Sequence, residues 1–148
     1  MTPVGPLPYS GGMIARVEEM AARLRDLDET VSDLELVVLF GSAATGRARA
    51  RSDVDVAVRC AGPADLDALY RVLAPRIGTS RLDLVDLRRA GPLLMMDVAR
   101  SGRVLYERRP GIYRQFQALA SRRYCDTAKL RRAQRRAIHA FLARALSP

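Results

Sequence analysis

Residues 34–58 read LELVVLFGSAATGRARARSDVDVAV and contain the clearest indications of the fold. The first seven residues of this stretch form a nearly continuous apolar run that ends abruptly at Gly41, which favours a central strand covered on both faces. The last eight residues alternate acid with valine at a period of two, which predicts a strand that directs Asp53 and Asp55 to one face. The sequence therefore predicts two sheet strands joined by a basic loop that contains glycine.

Periodic apolar patterns around this stretch predict an α/β (α+β) fold in which helices flank one small sheet. The further expected elements are helices at residues 13–27, 63–74 and 92–100 and strands at 82–87 and 104–106. Beyond residue 111, two more apolar stripes recur at helical spacing and predict a C-terminal helical extension. We expect Ile112, Phe116, Phe141 and Leu142 of these stripes to cover one side of the sheet.

The positive charge of the chain is concentrated at its C-terminal end. The formal net charge is +9, yet residues 1–106 hold 14 arginines and 14 acidic side chains, so the remaining residues carry the whole excess. We divide the chain into a flexible lead-in (1–12), a core (13–106) and basic C-terminal helices packed on that core (107–148). The basic residues from Arg122 to Arg136 fit a solvated helix face or a docking surface better than a nucleic-acid site, so direct nucleic-acid binding is not expected.

The composition favours a cytoplasmic protein with no membrane insertion. No apolar run approaches the ~20 residues that cross a bilayer. Residues 1–10 contain three prolines instead of a basic and then apolar secretory start. Cys60 and Cys125 have no metal-ligand spacing and His139 stands alone, so neither a disulfide nor a zinc site is expected.

The motifs in residues 34–58 are suited to bind a triphosphate and divalent cations. Gly41 lets backbone N–H groups approach a phosphate, a helix that begins just beyond it would point its positive end there, and Ser42 adds a hydroxyl. Asp53 and Asp55 project in parallel, so their charges repel unless cations lie between them. Magnesium prefers carboxylate and water oxygens together with substrate phosphates, so it is the expected cation.

A third carboxylate is expected from the strand at residues 82–87, which offers two candidates. Asp83 and Asp86 are separated by an odd number of residues, so the period of a strand places them on opposite faces. Asp83 lies within the strand, where an unpaired carboxylate is costly, whereas Asp86 near its end is explained by a turn or cap. We therefore predict Asp83 as the third acid, and Asp86 remains the alternative.

Together these motifs resemble those of the DNA polymerase beta-like nucleotidyltransferase superfamily, in its minimal branch. The residues that carry the resemblance are Leu39-Phe40-Gly41-Ser42, the loop through Gly46 and Arg51, Ser52-Asp53-Val54-Asp55-Val56 and Leu82-Asp83-Leu84-Val85. The small size and the tail are similar to the MntA-like adenylyltransferase antitoxins encoded beside HEPN toxins. The tail residues concerned are Val104-Leu105-Tyr106-Glu107 and Tyr124-Cys125-Asp126, followed by a basic helix. The resemblance implies a small mixed sheet of the nucleotidyltransferase fold.

The resemblance also implies an activity and a partner. The chain would transfer AMP from ATP, with two magnesium ions, to a tyrosine hydroxyl of a HEPN ribonuclease toxin and thereby silence it. In this scheme Asp53 and Asp55 bridge both metals and Asp83 binds the catalytic one. A hetero-oligomer with the toxin follows from the same resemblance.

The nucleotide-binding residues implied by the resemblance are Gly41, Ser42, Ser52, Arg47 and Arg51. One departure is Ala43, because many relatives carry a basic residue directly after the Gly-Ser pair. Arg47, Arg49 or Arg51 would then have to contact the triphosphate. Three arginines in a loop also fit a solvated surface, and both interpretations stay open.

Three alternative functions share features of this sequence. A small-molecule nucleotidyltransferase, such as one that modifies aminoglycosides, would use the same acids but usually adds a substrate domain. A non-catalytic antitoxin would neutralise its partner by contact alone, yet it has no reason to retain clustered carboxylates. Binding of RNA through the basic tail would show a steeply salt-dependent affinity.

Overall fold

One mixed sheet of four strands forms the centre of the computed structural model, which describes residues 12–48 and 52–147. The strands are β1 (Leu34–Phe40), β2 (Val54–Cys60), β3 (Leu82–Asp86) and β4 (Arg103–Glu107), in the spatial order β3-β2-β1-β4. Strand β1 runs antiparallel to β2 and β4, whereas β2 and β3 are parallel. The mixed sheet and all four predicted strands are confirmed. The lead-in up to residue 11, Arg49 and Arg51 lie outside the described residues.

Seven helices in the described residues surround the sheet. Their bounds are α1 (Met13–Arg23), α2 (Leu27–Thr30), α3 (Gly41–Thr45), α4 (Leu66–Ile77), α5 (Pro92–Ser101), α6 (Ile112–Asp126) and α7 (Ala128–Ala145). The helix expected at 13–27 ends at Arg23, and the short α2 follows it. None of the described helices is both long and apolar enough to cross a membrane.

The sheet is covered on both faces, as the apolar run of β1 predicts. On one face, Val37 and Leu39 of β1 join Val54, Val56 and Val58 of β2 in a core with residues of α1 and α4. On the other face, Leu36, Val38, Phe40 and Ala57 form a second core with residues of α5 and α6. Side chains alternate along β2, so Asp55 lies on the same face as Ala57, toward α5 and α6.

The last two helices differ in how they contact this core. Helix α6 packs on the sheet through its buried Ile112, Phe116 and Ala120. Helix α7 has no buried residue, and Phe141 and Leu142 are 69% and 46% exposed. The expectation that these two side chains cover the sheet is wrong, because α5 and α6 already cover that face and α1 and α4 the other. The domain boundary at residue 106 stays a prediction.

Candidate active site

The site begins at Gly41, where strand β1 passes directly into helix α3. Gly41 has a φ of 67°, a left-handed conformation that favours glycine. A Cβ atom at this position would overlap the carboxylate of Asp55. Only glycine therefore lets the β1–α3 turn approach the acid so closely. Ser42 follows in the first turn of α3 and is half-buried.

Strands β2 and β3 bring two of the predicted acids into register. Asp55 lies opposite Asp83 in the parallel ladder, and both carboxylates belong to the same face of the sheet. Asp86 lies opposite Val58 on the other face, is 7% exposed and accepts a hydrogen bond from the backbone N–H of Arg88 at 2.9 Å. The geometry thus brings Asp83 next to Asp55 and gives Asp86 a local structural contact.

Asp53 stands just before β2 with an exposed side chain. Its carboxylate forms an ion pair with the guanidinium of Arg81 at 3.5 Å. The backbone also joins the two segments, because the N–H of Val54 donates to the carbonyl of Arg81 at 2.7 Å. Arg81 therefore lies at the entrance of the acidic site, a position that the sequence analysis did not anticipate. The sequence indicates this position only through the spacing of Arg81, which lies two residues before Asp83.

The acids form a region of excess negative charge around Asp55. Burial raises the pKa of the Asp55 carboxyl above its ordinary value, and the nearby charges of Asp83, Asp53 and Asp97 raise it further. Asp97 belongs to α5, which also contacts α3, and its carboxylate accepts from the Ser101 hydroxyl at 3.4 Å. Asp97 is not predictable as a site residue from the sequence, because helix periodicity marks it only as a polar position between apolar ones.

The donor set fits magnesium held together with a triphosphate. Within residues 12–48 and 52–147, no three His, Cys, Asp or Glu side chains converge tightly enough to enclose a metal ion alone. Magnesium does not need such an enclosure, because it is usually held by one or two carboxylates with water and substrate phosphates. Asp55 and Asp83 supply such a pair. This arrangement predicts that metal and nucleotide bind together.

The remaining predicted nucleotide contacts lie along the loop between α3 and β2. Arg47 is exposed, and its backbone N–H donates to the carbonyl of Ser42 at 3.0 Å, so its position is tied to the end of α3. Ser52 is half-buried just before Asp53. The triphosphate contacts of Arg47 and Ser52 stay predictions.

A family model and several known proteins match this chain. A family model described as "Polymerase beta, Nucleotidyltransferase" matches residues 23–110, which include Gly41 and all three acids. The protein adenylyltransferase MntA of Aphanizomenon flos-aquae is 29% identical over 143 residues, which are 88% of this chain and 93% of that protein.

Two solved structures share the fold of this chain and have nearly the same sequence identity to it, 28% and 27%. The crystal structure of a toxin–antitoxin with AMP-PNP matches with a TM-score of 0.61 and 28% identity over 86% of this chain and 98% of that one. The structure of a tri-AMPylated Shewanella oneidensis HEPN toxin in complex with an MNT antitoxin matches with a TM-score of 0.57 and 27% identity, covering 89% of this chain and 99% of that one.

Proposed function

Because the chain belongs to the polymerase beta nucleotidyltransferase family, we propose that it transfers AMP from ATP to a tyrosine hydroxyl of a HEPN-type toxin and thereby neutralises it. The observation that carries this proposal is the pairing of Asp55 with Asp83 beside Gly41. The similar MntA protein is a protein adenylyltransferase, and the similar complexes contain AMP-PNP or an AMPylated HEPN toxin. We place the reaction in the cytoplasm, where ATP and magnesium are available.

The residues of the site have separate roles in an in-line transfer of AMP. Backbone N–H groups at Gly41 and Ser42 would contact the triphosphate, and Asp53, Asp55 and Asp83 would hold two magnesium ions together with it. When bound, magnesium lowers the pKa of the acceptor hydroxyl and neutralises the charge on departing pyrophosphate. The tyrosine oxygen bonds to the α-phosphorus, the bond from that phosphorus to pyrophosphate breaks, and the phenolic proton is released to solvent. Positioning and charge stabilisation supply most of the rate.

One feature of the described residues favours a protein acceptor over a small molecule. Helix α7 buries none of its side chains, which leaves a long surface for a protein partner. A protein acceptor therefore suits the chain better than an aminoglycoside.

A neutralisation assay separates catalysis from contact alone. The cognate HEPN ribonuclease is incubated with this chain, magnesium and ATP, and its residual cleavage of RNA is measured after this chain has been removed. Wild-type chain is expected to leave the toxin inactive, whereas the Asp55→Asn variant is expected to leave it active. A toxin that recovers full activity after removal of the wild-type chain would show that contact alone neutralises it and would contradict the proposal.

A further inference from the structure

Helix α7 carries an apolar stripe that nothing in the described chain covers. We define the stripe as Leu130, Ile138, Phe141 and Leu142, which are 58%, 59%, 69% and 46% exposed. Their spacing places them on one side of an 18-residue helix, because residues three, four and seven or eight positions apart share a helical face. Single exposed apolar residues are ordinary, but several of them on one side of a helix indicate an interaction surface.

The start of α7 is anchored to the end of α6. The guanidinium of Arg131 lies 3.5 Å from the ring centroid of Tyr124 on α6 and also donates to the hydroxyl of Thr127. Beyond this anchor no residue of α7 is buried. An isolated helix of this length is marginal in water, and most helical stability in proteins comes from packing of an apolar face. A partner that covers the stripe would supply that packing.

The charge of α7 decides between two possible occupants. The helix contains six basic side chains and no acidic one: Lys129, Arg131, Arg132, Arg135, Arg136 and Arg144. A second copy of this chain would bring two such helices together, and like charges at an interface cost several kcal/mol. An acidic partner surface would instead be attracted. Charge complementarity therefore favours a different protein over a second copy.

We propose that the stripe of α7 docks into an apolar groove on the acceptor protein and that acidic residues rim this groove. The inference rests on the proposed function, because it assigns the groove to the toxin that accepts AMP. The catalytic acids lie on β2, β3 and the segment before β2, whereas the docking surface lies on the last helix. Docking and chemistry are thus carried by separate parts of the chain and can be disturbed separately.

The first test replaces two residues of the stripe with polar ones. The variant Ile138→Ser and Phe141→Ser is compared with the control Leu93→Ser, which changes a side chain 63% exposed on α5. All three side chains are exposed, so thermal melts should stay close to wild type. Transfer of AMP to the toxin is measured against toxin concentration. We expect the stripe variant to raise KM for the toxin at least about tenfold, with kcat and ATP affinity unchanged and the control unaffected. A KM within twofold of wild type overturns the inference.

The second test addresses charge and self-association. The variant Arg132→Glu, Arg135→Glu and Arg136→Glu keeps the anchor at Arg131 and should associate more slowly with the toxin at low salt, with a smaller difference at high salt. Equal association rates at low salt would contradict the charge argument. Sedimentation of the wild-type chain alone is expected to show no dimer. A dimer that the stripe variant dissolves would assign the surface to a second copy and overturn the inference.

The two proposals fail in different ways. If the wild-type chain binds the toxin but transfers no AMP to it, the proposed function fails. The docking inference is still decided in that case by direct titration of the toxin with wild-type chain and stripe variant. If transfer occurs and both variants match wild type, the docking inference alone fails.

Discussion

Asp55 and Asp83 stand opposite each other in the parallel ladder of β2 and β3, and the charge of Asp83 helps to raise the pKa of the half-buried Asp55. The fold therefore holds two carboxylates in a relationship that is unfavourable while both are charged and no cation is present. A cation removes that penalty. This relationship supports the proposal that the chain is a metal-dependent nucleotidyltransferase.

Removing the charge at Asp55 should abolish transfer without weakening the fold. The pKa of the Asp55 carboxyl is higher in the folded state than in the unfolded state. The protonated carboxyl therefore stabilises the fold below the unfolded pKa. This stabilisation is lost as pH rises through the folded pKa, because the carboxyl then becomes charged. At neutral pH without magnesium, the Asp55→Asn variant should therefore melt at or above the wild-type temperature. This advantage should disappear at acidic pH. An inactive variant that melts well below wild type at neutral pH would contradict this account.

The choice between Asp83 and Asp86 can be tested by paired variants. Asp83→Asn should lose transfer and keep its stability, because Asp83 is exposed on the acidic face. Asp86→Asn should keep transfer but lose stability, because Asp86 is buried and accepts from the N–H of Arg88. The expected loss is about 1 to 3 kcal/mol, the cost of weakening a hydrogen bond to a buried charged group. The opposite pattern in transfer assays and melts would assign the third acid to Asp86.

Gly41 should tolerate no side chain. Gly41→Ala forces a residue with a Cβ into a left-handed conformation and places that atom on the Asp55 carboxylate. We expect lower stability and loss of ATP binding. The matched control is Gly62→Ala, because no atom lies within 4 Å of its added Cβ. Calorimetric titration with magnesium-ATP checks both variants, and equal affinities would remove Gly41 from the site.

Much of this site was predictable because its determinants are local in sequence. The alternation of Asp55 with valine places its carboxylate on one face of β2, and the odd spacing between Asp83 and Asp86 separates their faces. Asp53 lies just before that strand. The approach of Asp97 was not predictable, because it depends on how α5 packs across the sheet.

The interpretation of the tail shows the limit of a periodic pattern. Phe141 lies on a regular apolar stripe, which correctly indicates a helix with an apolar side. The apolar pattern does not indicate which part of the molecule packs against the stripe. Because α6 packs on this face of the sheet, α7 lies outside the core.

Magnesium and ATP should each tighten binding of the other, because triphosphate oxygens complete the coordination that Asp55 and Asp83 begin. Arg81 is expected to act on the two ligands in opposite directions, because its positive charge beside Asp53 would oppose a cation and attract a triphosphate. Arg81→Gln should therefore bind magnesium alone more tightly and ATP more weakly. Calorimetry with each ligand alone and with both together measures the coupling. ATP affinity that is equal with and without magnesium would contradict a metal-bridged site.

The most direct measurement of AMP transfer uses ATP that is labelled at the α- or the γ-phosphate. The wild-type chain, magnesium and the cognate toxin are incubated with ATP labelled at either phosphate, and the label on the toxin is measured after denaturing separation. Label from the α-phosphate only is expected on the toxin, located on tyrosine. No label is expected from the γ-phosphate, and none from either phosphate when Asp55→Asn replaces wild type. Transfer of the γ-label, or no transfer of either label by the wild-type chain, would contradict the account.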